Sequence, residues 1–173
     1  LWIPDRCFVA GDLAEPIELG RRFDLVQSLE VAEHLPEPRA RSFVADLCRH
    51  ADFVLFGAAP PGQGGENHIN EQPYSYWQAL FAAEGYDAYD YVRPRVLKLK
   101  EVTVWHRYNP VLYVRRTIAG SLSESVRASK VQSGRPVPDL SPPLYRLRKA
   151  FVRCLPNWAT QALAPVQKWT MAP

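Results

Sequence analysis

Residues 23–38 read FDLVQSLEVAEHLPEP, and this stretch decides the fold that the sequence predicts. Its apolar run ends at Ser28, and Glu30, Glu33 and His34 follow within the next six residues. An apolar run of this kind predicts a buried β-strand. In open α/β sheets, ligands bind just beyond the C-terminal ends of the strands. The three ionisable residues are therefore candidates for a binding site at the end of this strand.

The rest of the chain alternates short apolar runs with amphipathic segments. Helices are predicted at 39–50, where apolar residues recur at i, i+3, i+4 and i+7, and at 73–84, which Gly85 ends. Residues 93–108 are predicted to be irregular and basic. Short strands that alternate with helices of this length predict an α/β sheet with crossover helices. Strands are predicted at residues 7–10, 23–29, 52–56, 86–92 and 110–115.

The net charge of +3 conceals an uneven distribution along the chain. Residues 1–92 carry six Lys/Arg against fifteen Asp/Glu, whereas residues 93–173 carry fifteen Lys/Arg against three Asp/Glu. The two parts therefore have formal charges of −9 and +12. A basic C-terminal part fits either an anionic partner or a solvated tail.

The apolar runs, the first residue and the cysteines of the chain limit the classes of protein to which it can belong. No apolar run approaches the roughly 20 residues that are needed to span a bilayer. The chain begins with Leu1 rather than Met, so we expect it to start inside a longer chain or to follow processing. The three cysteines lack the spacing of a zinc site, which predicts free, buried thiols in a reducing compartment. The expected location is the cytoplasm.

Three segments of the chain together resemble a known family. They are FVAGDL at 8–13, FDLVQSLEVAEHLPEP at 23–38, and ADFVLFGAAPPGQGGENHINEQPYSYWQALFAAEGY at 51–86. They resemble class I S-adenosylmethionine-dependent methyltransferases, and more narrowly the bacterial methyltransferase-domain proteins with an LEVAEH-type loop and a PGQGG-NH-NEQ segment. The likeness covers residues 5–116. It implies an α/β, Rossmann-like class I methyltransferase fold that lacks its first strands, with a mixed sheet and an antiparallel C-terminal strand.

The resemblance and the composition divide the chain into three parts. Residues 1–116 form a partial methyltransferase domain, residues 117–142 a linker, and residues 143–173 a basic, amphipathic, Pro-rich tail. The tail contains one predicted helix, at 143–155, in which apolar residues recur at helical spacing among Arg and Lys. This helix can lie on a membrane surface or dock on the parent fold.

The resemblance implies S-adenosyl-L-methionine as the cofactor and assigns five residues to it. Asp12 matches the acidic residue that typically meets the adenine amino group, with Leu13 against the ring. Ser28, Leu29 and Glu30 match the strand end that lines the methionine end of the cofactor. The buried strand therefore stops where it must face a polar ligand.

Two histidines are the predicted catalytic residues. His68 follows a glycine-rich loop and is a candidate base for an acceptor hydroxyl, because imidazole titrates near neutral pH. The alternative is a loop that hydrogen bonds from His68 and Asn70 pin to its own backbone. His34 and Glu33 fit an acid/base role, a structural turn that His34 caps, or, with Glu30, a Mg²⁺ or Mn²⁺ site. No metal ligand is assigned.

The implied reaction is direct displacement of the methyl group from sulfur by an oxygen or nitrogen of a small-molecule or glycan acceptor. The 173 residues contain neither the glycine-rich turn that wraps the cofactor in this family nor the acid that holds its ribose. We therefore expect the strand at 23–29 to have an unpaired edge, and these residues alone to bind the cofactor poorly.

Two other functions are consistent with the sequence. One is a non-enzymatic, degenerate methyltransferase fold whose basic region, residues 93–153, contacts an anionic partner, although nucleic acid is not the expected one. The other is a metal-dependent hydrolase that uses Glu30, Glu33, His34 and His68. The sequence does not determine the methyl acceptor or the oligomeric state.

Overall fold

The structure is a computed structural model that describes residues 3–156 and Ala159. Its centre is a four-stranded sheet. The strands are β1 (Val26–Leu29), β2 (Phe53–Gly57), β3 (Tyr86–Tyr89) and β4 (Val111–Arg115). Their order in the sheet is β1-β2-β4-β3. Strands β1 and β2 are parallel, and β4 is antiparallel to both β2 and β3. The predicted α/β class and the antiparallel C-terminal strand are confirmed.

Two predicted helices frame the sheet. Helix α1 connects β1 to β2 and helix α2 connects β2 to β3, close to the predicted bounds. Residues 93–108 contain two short helices, so the prediction that they are irregular is wrong. Turns of 3-10 helix occupy Asp5–Cys7, Ala32–His34, Glu37–Arg39 and Arg116–Ser121. The helices are α1 (Ala40–His50), α2 (Tyr74–Ala83), α3 (Arg93–Val96), α4 (Val104–Tyr108), α5 (Glu124–Arg127) and α6 (Pro143–Val152).

The main apolar core lies between the sheet and helices α1 and α2. Phe81 of α2 stacks on Tyr113 of β4, with ring centroids 3.8 Å apart. Each fully buried side chain of this size contributes about 1.5–3 kcal/mol, so this cluster fixes both helices on the sheet. Its other large members are Phe43, Val44, Leu47, Val54, Phe56 and Trp77.

The predicted strand at residues 7–10 is wrong. Residues 5–7 form a 3-10 turn, and Phe8 and Val9 are 51% and 73% exposed. A strand requires a neighbour for its backbone N–H and C=O groups, and no described strand or bridge pairs with this segment. The unpaired edge that was predicted for the strand at 23–29 is present, because β2 is the single described neighbour of β1.

The segment at 117–142, which was predicted as a linker, packs on the domain. Its Leu122 joins Tyr89 and Val114 in a second apolar cluster, on the face of the sheet opposite Tyr113. Its Val137 joins the main core. The three-part division of the chain stays a prediction, but residues 117–142 are a packed element of the described structure and not a free spacer.

Helix α6 docks on the glycine-rich loop that follows β2. Buried Lys149 pairs with Asp139 at 2.6 Å, and Arg148 donates to the carbonyl of Gln63 at 3.0 Å. The opposite face of α6 exposes Leu144, Leu147 and Phe151. No helix in the described part of the chain is both long enough and apolar enough to cross a bilayer. Most of the predicted tail after α6 lies outside the described residues.

The prediction of buried thiols holds for one cysteine. Cys48 is buried in helix α1, whereas Cys7 and Cys154 are exposed, and all three are free. Cys7 is exposed because the strand that would have buried it does not form. The cytoplasmic location stays a prediction.

Candidate functional site

The C-terminal ends of β1 and β2 lie together at one edge of the sheet. The two strands are in parallel register with Leu29 opposite Gly57, and the backbone N–H of Glu30 donates to the carbonyl of Gly57 at 2.8 Å. The loops that follow Leu29 and Gly57 therefore share one edge of the sheet. The residues before Gly11 were expected to end a third strand at this edge, but no described strand precedes Gly11. The Glu30 backbone has φ 54°, a left-handed conformation that residues other than glycine rarely adopt. Such strain is most often retained at functional sites.

The Glu30 carboxylate joins the two loops to the start of β4. One oxygen accepts from Gln63 Nε2 at 2.6 Å and the other from Asn109 Nδ2 at 2.7 Å. Asn109 Nδ2 also donates to Gln63 Oε1 at 2.9 Å, and the Tyr74 hydroxyl donates to Asn109 Oδ1 at 3.1 Å. Both oxygens of Glu30 are thus engaged by the protein. Its assignment to the cofactor stays a prediction, while the structure gives it a second role, in holding the loops together.

Ser28 and Leu29 lie where the cofactor was predicted to bind. The Ser28 side chain is buried, and its hydroxyl has no hydrogen-bond partner among the described residues. Leu29 is partly buried, and its side chain lies against Gly57. A buried hydroxyl without a partner is costly unless a ligand or water meets it. The Ser28 hydroxyl therefore has hydrogen-bonding capacity at this edge that the described residues do not use.

Asp12 and Leu13 lie beside helix α1, near its N-terminal end. An oxygen of the Asp12 carboxylate accepts from the Ala14 backbone at 2.9 Å, and the Leu13 carbonyl accepts from Arg39 Nε at 3.1 Å. Both residues are exposed. Their predicted roles toward adenine stay predictions, because the hydrogen bonds that position them belong to the surface next to α1 and not to the end of β1.

Glu33 is the most unusual side chain at this edge. It lies in the 3-10 turn Ala32–His34 with no exposed surface, and neither carboxylate oxygen has a hydrogen-bond partner within the described structure. Burial raises its pKa to about 7, and the charge of Glu30 adds to the rise. The backbone amides of Glu33 and Ala59 and the nearby His68 offset part of that rise.

The glycine-rich loop brings His68 to this turn. The backbone N–H groups of Ile69 and Asn70 both donate to the Glu33 carbonyl, at 2.9 and 3.0 Å. The His34 and His68 rings meet edge to face, with centroids 5.0 Å apart. One ligand-type atom from each of Glu33, His34 and His68 lies within 4.8 Å of the others.

This grouping corrects one expectation. The spacing suggested that Glu30 joins Glu33 and His34 on one face of a helical turn, whereas the closest group contains His68 and not Glu30. Glu30 precedes the 3-10 turn in a left-handed conformation, so helical spacing does not apply to it. His68 was considered with these residues only in the hydrolase interpretation, because no local spacing connects positions 34 and 68.

Each histidine of the group has one ring nitrogen occupied. His34 Nδ1 lies 3.2 Å from the backbone oxygen of Asn67, and His68 Nδ1 lies 2.8 Å from Glu71 Oε1. The Glu71 carboxylate also accepts from the backbone N–H groups of Gly62 and Gly64, each at 2.7 Å. Hydrogen bonds within the segment therefore do pin the loop, but the side chain that accepts them from the backbone is that of Glu71, whereas His68 and Asn70 were expected to supply them.

A cavity of about 470 Å³ opens beside this cluster. Its wall includes His68 and Glu71 from the loop and Arg153 and Leu155 from the end of helix α6. The volume is in the range that holds a small ligand. Docking of this helix on the parent fold was one of the two alternatives for residues 143–155, and it depends on the close approach of Gly62 to the Lys149 backbone.

Comparison of the chain with protein-family models, with curated proteins and with solved structures gives no match. The methyltransferase resemblance therefore depends on the residues of the chain alone.

Proposed function

We propose that the chain takes part in S-adenosylmethionine-dependent methyl transfer to an oxygen or nitrogen of a small-molecule or glycan acceptor. The observation that supports the proposal is the order and direction of the strands in the sheet. Its last strand, β4, is inserted antiparallel between β2 and β3, and the polar loops converge where β1 and β2 end. This mixed sheet is the one that the sequence resemblance implies, and its polar loops lie at the edge where open α/β sheets bind ligands.

The described residues fit one part of the cofactor. The Ser28 hydroxyl and the side chain of Leu29 suit its methionine end, and Asp12 and Leu13 lie beside the N-terminal end of α1. The outer edge of β1 has no described neighbour to complete the site. The bound cofactor would supply a methyl group on a positively charged sulfur. The chain's own residues would orient the acceptor, which the cavity beside His68 is large enough to hold.

Calorimetric titration with S-adenosylmethionine tests the proposal. We expect residues 1–173 to bind it more weakly than micromolar. If the reading frame extends upstream and encodes a glycine-rich turn, we expect its complete product to bind the cofactor at micromolar concentration. Ser28→Ala in the complete product should weaken binding by about 10-fold, the effect of one lost hydrogen bond, while Ser75→Ala, at an exposed position of α2, should not. If the complete product binds no cofactor, the proposal is wrong. If residues 1–173 alone bind at micromolar concentration, the expectation that further segments are needed is wrong.

One observation favours a second candidate, contact with an anionic lipid surface. Leu144, Leu147 and Phe151 are 81%, 69% and 65% exposed on one face of α6, and Arg146 is exposed beside them. Five Lys/Arg side chains in the rest of the basic region are less available to an anionic partner, because they are in ion pairs. These pairs are Arg93–Asp90, Arg115–Asp52, Arg116–Asp87, Lys130–Asp87 and Lys149–Asp139.

Co-sedimentation with vesicles tests this second candidate. The chain should bind vesicles that contain phosphatidylglycerol, and binding should decrease with salt and with the double substitution Leu147→Ser, Phe151→Ser. Leu25→Ser, at an exposed position just before β1, is the matched control. Equal binding to neutral vesicles, or no effect of the double substitution, would exclude this role for α6.

A further inference from the structure

We infer that Glu33, His34 and His68 form a binding site for a divalent transition-metal ion. The inference is independent of methyl transfer, since it concerns the binding of an ion by residues that no assignment to the cofactor uses.

The geometry suits one ion. The three ligand atoms lie within 4.8 Å of one another. Nitrogen and oxygen ligands at about 2.0–2.2 Å from one ion are at most about 4.4 Å apart, so only small side-chain movements are needed. Two imidazoles and one carboxylate are a donor set typical of Zn²⁺ and Fe²⁺, with positions left open for water or a ligand.

The burial of Glu33 indicates that the cluster has a ligand. Its carboxylate is completely buried and, among the residues described, has no hydrogen-bond partner for either oxygen. A buried carboxylate is normally paired with a cation or satisfied by hydrogen bonds, because its desolvation is otherwise not compensated. A bound cation supplies the missing partner.

The groups around the histidines support the same conclusion. The backbone oxygen of Asn67 can only accept, so the hydrogen bond at His34 Nδ1 requires the proton on that nitrogen and leaves Nε2 with its lone pair. The Glu71 carboxylate accepts in the same way from His68 Nδ1, so the Nε2 of His68 also keeps its lone pair. Metal-binding histidines usually donate their other nitrogen to a carbonyl or carboxylate in this way.

The loop and the cavity complete the site. The bonds from Ile69 and Asn70 to the Glu33 carbonyl hold His68 against the turn. His68 also lines the 470 Å³ cavity, which provides an entry path for the ion and room for a ligand with an oxygen donor. With an ion bound, His34 and His68 would act as ligands and not as bases.

Equilibrium dialysis of the chelator-treated chain against Zn²⁺ and Co²⁺ tests the inference, with Co²⁺ absorption as a second readout of ligand number. We expect one ion per chain, and a loss of affinity of more than about 100-fold in Glu33→Gln, His34→Asn and His68→Asn. Glu71→Gln should cost about 10–100-fold, because it removes a partner of a ligand.

Exposed Glu37→Gln and, from α4, His106→Asn are matched controls and should bind as the unmodified chain does. Circular dichroism must show that Glu33→Gln and His34→Asn remain folded, which we expect because the first is isosteric and the second is exposed. Absence of stoichiometric binding by the unmodified chain, or unchanged affinity in these two folded variants, would overturn the inference.

Discussion

Two carboxylates of this domain are almost equally buried, and they have opposite surroundings. Asp46 in α1 is 3% exposed and accepts from the Ile17 backbone at 3.0 Å, from Arg39 at 2.5 Å and from Arg49 at 2.7 Å. Glu33 is fully buried and accepts none within the described structure. The first carboxylate stabilises the fold by attaching the segment before β1 to α1. The buried carboxylate of Glu33 lowers the stability of the fold and makes no hydrogen bond within the described residues that would offset this loss, which is typical of a functional residue.

The pKa values of the two groups follow their surroundings. Burial alone would raise the pKa of Asp46, but the hydrogen bonds from Ile17, Arg39 and Arg49 outweigh it and hold the value below its usual range. Burial raises the pKa of Glu33 to about 7 because few groups nearby compensate. Burial therefore has the same direction of effect at both sites, and the partners decide the outcome.

The largest expected effect is that of Asp46→Ala. The change leaves Arg39 buried at 7% exposure without its carboxylate partner. Breaking a buried ion pair in this way costs about 3–5 kcal/mol. Urea unfolding followed by circular dichroism at pH 7 measures it, with exposed Glu37→Ala as the control, which should change stability by less than about 1 kcal/mol. A loss below 1 kcal/mol for Asp46→Ala would mean that its bonds do not stabilise the fold.

Glu33→Gln is expected to have the opposite sign. In the presence of a chelator at pH 8, the ionised Glu33 is costly, because its pKa in the folded chain is about 7 against an ordinary value of 4.5. At 1.36 kcal/mol per pKa unit, removal of the charge stabilises the metal-free chain by up to about 3 kcal/mol. The same urea titration measures the gain. Destabilisation by Glu33→Gln would show that the carboxylate has a partner, and the contrast with Asp46 would disappear.

The pH dependence of stability should also separate the two groups. A raised folded pKa means that the native chain holds the proton of Glu33 longer than the unfolded chain does, so stability falls as pH rises from about 4.5 to 7. The expected slope is up to about 1 kcal/mol per pH unit in the chelator-treated chain. Asp46 acts in the other direction, and its contribution is lost as pH falls below its unfolded value near 3.8.

Urea midpoints at pH 5, 6, 7 and 8 for the unmodified chain and Glu33→Gln measure this dependence. The difference between the two chains should grow across the series and become constant above pH 7. A constant difference from pH 5 to 8 would contradict the raised pKa.

Local patterns predicted part of this architecture. The amphipathic spacing of α1 and the apolar run of β1 are properties of neighbouring residues, and both elements form. Helix α1 begins within one residue of its predicted start, whereas β1 covers only the last four of the seven predicted residues. Whether residues 7–10 form a strand depends on a partner strand, which their own apolar character does not reveal. The group of Glu33 with His68 depends on two backbone hydrogen bonds that cross 36 residues, from Ile69 and Asn70 to Glu33. No spacing rule contains that information, although the presence of ionisable residues at a strand end correctly marked the region.

Gly65→Ala is expected to change the free energy of unfolding least and to act mainly on the affinity for the metal ion. A Cβ at this position would lie 2.2 Å from Nε2, 2.4 Å from Cε1 and 2.7 Å from Cδ2 of His68, so the imidazole must move. The ring is the outer end of a side chain, and the backbone need not change. We expect unfolding energies within about 1 kcal/mol of the unmodified chain and Co²⁺ affinity reduced by about 10-fold or more.

Gly120→Ala is the matched control, since a Cβ there meets no atom within 4 Å, and it should alter neither property. If Gly65→Ala binds Co²⁺ as well as Gly120→Ala does, the position of the His68 ring is not part of the metal site. Glu33 would then need a different partner to explain its burial.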